Sequence, residues 1–291
     1  MYECNRGLLM LHTRPSIADK RRSFHRLHEH GCFVIPNPWD VGSARYLQAA
    51  GFKALATTSS GFAWSHGHAD GAMSRDRVLE HLTDMVEGTN VPINADFENG
   101  FAPDAAGVFE SVRLAVECGV AGLSIEDSTG DAAAPLYDLD VAVERIRAAR
   151  NALDKHGADA LLIGRAECFL AGVPDLDHTI ARLKAYANAG ADCLYAPGIG
   201  TPHEIAAVVA AVAPKPVNVL AGFSGNLTLA QFAALGVRRI SVGGALARAA
   251  WGGFMRAAQL IQREGRFDGF TDAASGRELN TLFSDGAPSS S

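Results

Sequence analysis

The sequence predicts a (β/α)₈ barrel of the TIM type, and three observations carry that prediction. Short, wholly apolar runs recur eight times and alternate with segments of helical period, as parallel strands buried on both faces should. Four helix-to-strand joints share one pattern, Ala50-Gly51-Phe52, Cys118-Gly119-Val120, Ala189-Gly190-Ala191 and Leu235-Gly236-Val237, in which glycine supplies a left-handed helix C-cap. No glycine fingerprint follows the first strand, which counts against the other architecture with this alternation, an open doubly wound sheet.

Residues 1–23 show no sustained period and end in the basic cluster Lys20-Arg21-Arg22, so they are expected as a leader or a first surface helix. The barrel is expected over 24–265. Its strands are predicted at 32–35, 54–58, 93–95, 122–125, 160–163, 193–196, 217–220 and 240–242. Asp40 is placed to cap the first barrel helix, Ser74 or Asp76 the second and Asp104 the third. Later helices follow from near Asp138, Asp175, Pro202, Thr228 and Ala245. Residues 266–291 are polar, end in Ala287-Pro-Ser-Ser-Ser291, and read as a C-terminal extension and tail.

Composition narrows the function. A chain of 291 residues with 48% hydrophobic and 20% charged residues can bury a large core without disulfides. The net charge of -6 offers no attraction for nucleic acid or an anionic membrane, so an anionic substrate must be held by local groups. The cysteines at 4, 32, 118, 168 and 193 are dispersed without C-x-x-C spacing, which fits a reduced, cytoplasmic setting. No apolar run approaches the roughly 20 residues a membrane span needs.

Barrel enzymes build their sites from the C-terminal ends of the strands. The stretch Pro92-Ile-Asn-Ala-Asp96-Phe-Glu98-Asn-Gly100 runs from a buried strand into a loop and ends in two carboxylates one residue apart. If the extended conformation persists, both point the same way and call for a cation between them. The alternative is a solvated Glu98 with Asp96 capping the next helix. Asp96, Glu98 and Glu126 could supply oxygens, directly or through water, to a hard ion such as Mg²⁺, with Mn²⁺ as a substitute. Arg165 stands beside them and could clamp a carboxylate or neutralise an anion forming on the substrate; it could equally join Glu167 in an internal ion-pair layer. Asp127 points away from Glu126 and is expected to tie down the next loop. His66 and His68 are read as surface histidines. No lysine sits at a strand end for a Schiff base, and no G-x-S-x-G elbow occurs.

With these residues in place, the sequence resembles the isocitrate lyase and phosphoenolpyruvate mutase superfamily. The matching pieces are Pro36-Asn-Pro-Trp-Asp40, Thr58-Ser-Ser-Gly61, Asp70, Asp96-Phe-Glu98-Asn-Gly, Gly122-Leu-Ser-Ile-Glu126-Asp127, Gly164-Arg165-Ala-Glu167, Gly190 to Tyr195 and Asn218-Val-Leu-Ala-Gly222. The resemblance implies that Asp96, with Asp70, Glu98 and Glu126 largely through water, organises Mg²⁺. It implies that Ser60 and Gly61 hold a substrate carboxylate, that Arg165 faces the developing anion, and that Asn218 lines the pocket. Substrates in such proteins are 2-oxo or 2-hydroxy acids that pass through a pyruvate-like enolate. It also implies a homo-oligomer, dimer or tetramer, in which a C-terminal helix crosses to a partner.

One departure is informative. The gating loop after the fourth strand, Ser128-Thr-Gly-Asp131-Ala-Ala-Ala-Pro-Leu-Tyr137-Asp138, lacks the cysteine and histidine of the lyases and the lysine and asparagine of the phosphonate enzymes. The leading expectation is therefore a Mg²⁺-dependent lyase or decarboxylase of a small dicarboxylate, with Arg165, Glu126 and Tyr137 as catalytic candidates and Asp131 or water as alternative proton donors. A phosphonate P–C mutase or hydrolase is the second expectation. A barrel that binds an oxo-acid without catalysis is the third.

Overall fold

The structure, a computed structural model, describes residues 14–284 apart from Ser224; Cys4 and the expected tail from 285 onward lie outside the described residues. Eight strands form one parallel sheet: β1 (Phe33–Ile35), β2 (Leu55–Ala56), β3 (Ile93–Asp96), β4 (Gly122–Glu126), β5 (Leu161–Arg165), β6 (Cys193–Tyr195), β7 (Val217–Leu220) and β8 (Arg239–Ser241). Their order is β1-β8-β7-β6-β5-β4-β3-β2, and the Ala56 N–H donates to the Pro36 carbonyl at 3.1 Å where the two edges meet. The expected barrel is thus the observed one. Each of the four recurrent glycines has positive φ, from 84° at Gly236 to 108° at Gly190, as the C-cap reading requires.

The first helix, α1 (Ile17–Glu29), runs through the expected 23/24 boundary and closes the N-terminal end of the barrel. Its Phe24 is fully buried among Ile35, Ala121, Leu161 and Ile163, the apolar lower layer of the interior. That burial contributes roughly 1.5–3 kcal/mol. The basic cluster fastens the helix in place. Lys20 Nζ donates to the carbonyls of Val86 and Thr89, and Arg21 to those of Val116 and Val120. Most of these acceptors belong to the C-terminal ends of α4 (Arg75–Gly88) and α5 (Ala105–Glu117), where carbonyls lack helical partners and favour cations. A surface reading of Lys20-Arg21-Arg22 misses this, because the acceptors are more than sixty residues away.

Between β2 and α4 lies a helix absent from the predicted elements, α3 (Ser59–Ser65), capped by Thr58. The remaining barrel helices are α2 (Val41–Ala49), α6 (Leu139–Lys155), α7 (Leu176–Asn188), α8 (Pro202–Val212), α9 (Leu229–Ala234) and α10 (Ala245–Glu264). Asp40 and Asp104 cap α2 and α5 as predicted. After α10, α11 (Gly276–Ser284) returns to pack on α2 of the same chain. The outer face of α10 leaves Trp251, Phe254 and Met255 exposed. No helix of the described residues is long and apolar enough to cross a membrane.

Candidate active site

The C-terminal ends of β3, β4 and β5 bring three carboxylates onto one guanidinium. Arg165 Nη1 lies 3.1 Å from Asp96 Oδ1 and 3.2 Å from Glu126 Oε2, while its Nε pairs with Glu167. All four side chains are largely buried. Register explains the convergence: Glu126 and Arg165 are partners across β4 and β5, and Asp96 ends the next strand along. Arg165 therefore closes an ion-pair layer and also lines the cavity above it. Asp96 is further fixed by the Ser59 N–H, donated to its Oδ2 at 2.9 Å, and by its own N–H on Thr57 Oγ1.

Beyond Asp96 the strand ends, and the chain turns sharply. Glu98 has φ of 46° and Phe101 of 54°, left-handed values that cost non-glycine residues energy. The turn is held from below by the Arg145 guanidinium, which donates to the carbonyls of Asn99 and Ala102. Extended geometry is thus not what brings Glu98 to Asp96; the bend does so. Burial pushes the Glu98 carboxyl up to about 7, and the adjacent Asp96 and Asp70 add to it. Burial likewise raises Glu126 and Glu167, against the pull of Arg165.

Carboxyls thus outnumber cations at this end of the barrel, a donor set that suits a divalent ion. Among the described residues no three acidic, histidine or cysteine side chains come close enough to ligate one ion directly. The residues fit an ion that keeps several waters, which is the habit of Mg²⁺. The titration of Glu98 gives a check. Its folded-state value exceeds the ordinary 4.5, so its contribution to stability is full below about 4.5 and is lost as pH rises through about 7. Thermal unfolding in chelator should show stability falling between pH 5 and 8, with a shallower fall in Glu98→Gln and recovery on adding Mg²⁺. An unchanged slope in the variant would remove Glu98 from the acidic cluster.

The cavity has a volume of about 180 Å³ and runs from the mouth into the barrel. Ser59, Ser60, Asp70, Asp96 and Arg165 stand at its upper end and Asn218 in its wall, so most expected site residues meet there. Ser60 Oγ rests 3.1 Å from Thr58 Oγ1, and a Cβ at Gly244 would come within 2.7 Å of it, so only glycine leaves that hydroxyl room. Four expected residues do not line it: Glu126 pairs with Arg165, Glu98 borders an adjoining small pocket with Asp96, and Gly61 and Tyr137 serve packing. Gly61 does not line the cavity: its N–H points to the capping Thr58 Oγ1, and a Cβ on it would collide with Trp39 and Thr58. Its smallness serves the packing of α3 against Trp39.

Tyr137 is also outside. Loop 128–138 folds into a small hairpin bridged between Ser128 and Leu136, and the Tyr137 ring packs under the Arg145 guanidinium at 4.3 Å. Asp131 instead lines a cleft beside Glu167 and Leu170, next to the main cavity. Asp127 points away from the site as expected, into Arg182, Tyr186 and the Glu167 N–H. His66 lies in another surface cleft with Trp39 and His81.

Several lining residues escaped sequence reasoning. Asn37 ties three strand ends together, donating to the Thr57 carbonyl and accepting the N–H groups of Val242 and Gly243. Asn94, Ser124, Tyr195 and Arg239 line the deeper part. Their signal was a polar residue inside an otherwise apolar strand run, which reads as core unless the interior is known to be hollow.

Comparison with known proteins bears on the family and the fold. A family model described as phosphoenolpyruvate phosphomutase matches residues 24–262. A crystal structure from Burkholderia cenocepacia J2315, assigned provisionally as a lyase/mutase, is 51% identical with a TM-score of 0.90, covering 94% of this chain and 99% of that one. An uncharacterised protein of Mycobacterium tuberculosis strain H37Rv is 33% identical over 223 residues, 76% of this chain and 81% of the relative. An oxaloacetate decarboxylase of Bradyrhizobium sp. strain ORS 278 is 33% identical over 140 residues, 46% of each.

Proposed function

Because the chain belongs to the isocitrate lyase and phosphoenolpyruvate mutase superfamily, we propose that it is a Mg²⁺-dependent lyase or decarboxylase of a small 2-oxo or 2-hydroxy dicarboxylate, acting through a pyruvate-like enolate. The observation that carries this reading is Arg165, buried among Asp96, Glu126 and Glu167 and lining a cavity of about 180 Å³. A cavity that small suits a short acid rather than a larger ligand, for which pockets of about 300 Å³ and more are usual. The oxaloacetate decarboxylase among the relatives acts on an acid of this size and class.

Asp96, with Asp70, Glu98 and Glu126 through water, would hold the ion, which when bound supplies Lewis-acid stabilisation of negative charge on the substrate oxygens. The chain's own groups do the rest. Ser60 offers its hydroxyl to the substrate carboxylate at the rim. Arg165 Nη2 has no protein acceptor among the described residues and is the donor for the oxygen on which enolate charge develops. Tyr195 lines the cavity beneath Arg165, its ring centroid 5.1 Å from the guanidinium carbon. Burial pushes its hydroxyl up to about 12, so it keeps a proton at neutral pH and replaces Tyr137 as the candidate donor to the product.

Calorimetric binding of oxalate, a planar mimic of a pyruvate enolate, tests the reading. Wild type should bind it only with Mg²⁺, and Asp96→Ala should weaken that binding by about 100-fold or more. Oxalate binding that ignores both metal and Asp96 would make the strand-end acids structural and end the enzyme assignment. The family model itself favours a second reading, P–C bond chemistry. Phosphorus NMR of the products from a phosphonate panel separates it from C–C cleavage. The absence of lysine and asparagine from loop 128–138 weighs against it.

A further inference from the structure

Strand register lines up four polar residues in one row. Arg165 on β5 is the partner of Tyr195 on β6, Tyr195 of Asn218 on β7, and Asn218 of Arg239 on β8. Strands in a barrel tilt against its axis, so a row of register partners descends as it passes from strand to strand. This row leaves the mouth at the last residue of β5 and arrives at the first residue of β8. All four side chains line the same cavity. Branched apolar side chains normally fill this space; here it is a polar shaft.

At its foot is a cation without an anion. Arg239 is 2% exposed. Its Nε donates to Asn218 Oδ1 at 2.8 Å, and its Nη1 lies 3.4 Å from Asn94 Oδ1 and 3.5 Å from His28 Nε2. No carboxylate pairs with it among the described residues, and Nη2 has no acceptor there. His28 is held down to about 3 by burial and by Arg239 itself, and so is neutral. Two other buried guanidiniums face carboxylates, Arg165 three of them and Arg182 Asp127; Arg145 also has none among the described residues, but it donates to two carbonyls and lies outside this cavity. Leaving a buried charge with neutral partners only is costly, and a ligand anion removes that cost.

We propose that Arg239 is the counter-ion for a distal carboxylate of the substrate, which reaches down the barrel while the 2-oxo or 2-hydroxy end stays with Asp96, Ser60 and Arg165. This deepens the function proposed above and rests on it. Asn218 is the positioning residue. Its Oδ1 fixes the Arg239 Nε, and its Nδ2 is anchored on Ser241 Oγ at 3.0 Å. The shaft thereby makes the protein selective for dicarboxylates over monocarboxylates with the same reactive end.

Lactate and malate test this, since they share the 2-hydroxy acid end and differ by the distal carboxylate. With Mg²⁺ present, and measured by displacement of oxalate, malate should bind wild type about 10–100-fold more tightly than lactate, the worth of a charge-assisted pair. Arg239→Gln should bring malate close to lactate. The monoamide of malate blocked at the carboxylate remote from the hydroxyl should lose the same factor on wild type, which decides the matter even if the variant does not fold. Equal binding of malate and that monoamide to wild type overturns the proposal, as does a malate preference that survives Arg239→Gln. Metal-dependent lactate binding without a malate advantage refutes the distal site alone, whereas binding of neither acid refutes the reaction at the mouth as well.

Discussion

Arg165→Met should abolish turnover and destabilise the folded protein by about 3–5 kcal/mol at pH 8, because it leaves Asp96, Glu126 and Glu167 buried without a counter-charge. Methionine keeps much of the stem's packing, so the loss reports charge more than volume. The sign of the pH dependence follows from the same geometry. Burial already raises Glu126 and Glu167, and removing the guanidinium raises them further, so the unfolded chain releases those protons more readily. The deficit should therefore shrink as pH falls toward 5 and grow above 7. Denaturant unfolding of both proteins at several pH values, without added metal, measures it. A pH-independent deficit would mean that the three acids are not held charged against Arg165. Mg²⁺ should recover part of the stability but none of the activity, since the donor to the enolate oxygen is gone.

The second large effect concerns a residue that never enters the cavity. Asp127 is 1% exposed and accepts from Arg182 Nη1 at 3.0 Å, from the Tyr186 hydroxyl at 2.5 Å and from the Glu167 N–H at 2.7 Å. Asp127→Ala strands a buried guanidinium and hydroxyl at once, and unfolding by denaturant should show a loss of about 3–5 kcal/mol. Combining it with Arg182→Met should restore part of that loss, because the uncompensated charge goes with the arginine. A single-variant loss below about 1 kcal/mol would mean that the network behaves like a solvated surface pair. Its neighbour Glu126 faces the opposite way onto Arg165. Adjacent residues at the end of β4 thus divide the work, one serving the site and the other the scaffold, as strand alternation requires.

That division is legible in the sequence, and so is much else. Apolar runs, helical periods and glycine caps are near-neighbour properties of the backbone, and they suffice for eight strand-helix units. Once the barrel is assumed, position along a strand says which residues reach the rim, which is why Asp96, Glu126 and Arg165 could be gathered from three separate segments. The roles of Ser60 and Asp70 entered only through resemblance, since nothing local marks a serine or an aspartate in such a segment as a ligand.

What escaped was whatever depends on how distant segments meet. Tyr137 looked available because it sits in the segment read as a gating loop, yet the hairpin from Ser128 to Leu136 sends its ring onto Arg145. The cluster Lys20-Arg21-Arg22 looked like a surface, yet Lys20 and Arg21 reach carbonyls of helices α4 and α5 and their following segments. Arg239 looked like an ordinary flank of its strand, yet tilt and register set it beneath Asn218, Tyr195 and Arg165. By itself the sequence determined the barrel and the acidic rim, because spacing along the chain encodes both. Only the tertiary structure decided the hollow polar axis and the guanidinium at its foot that meets no carboxylate among the described residues, because strand tilt converts neighbours in register into a path through depth, and no local pattern records it.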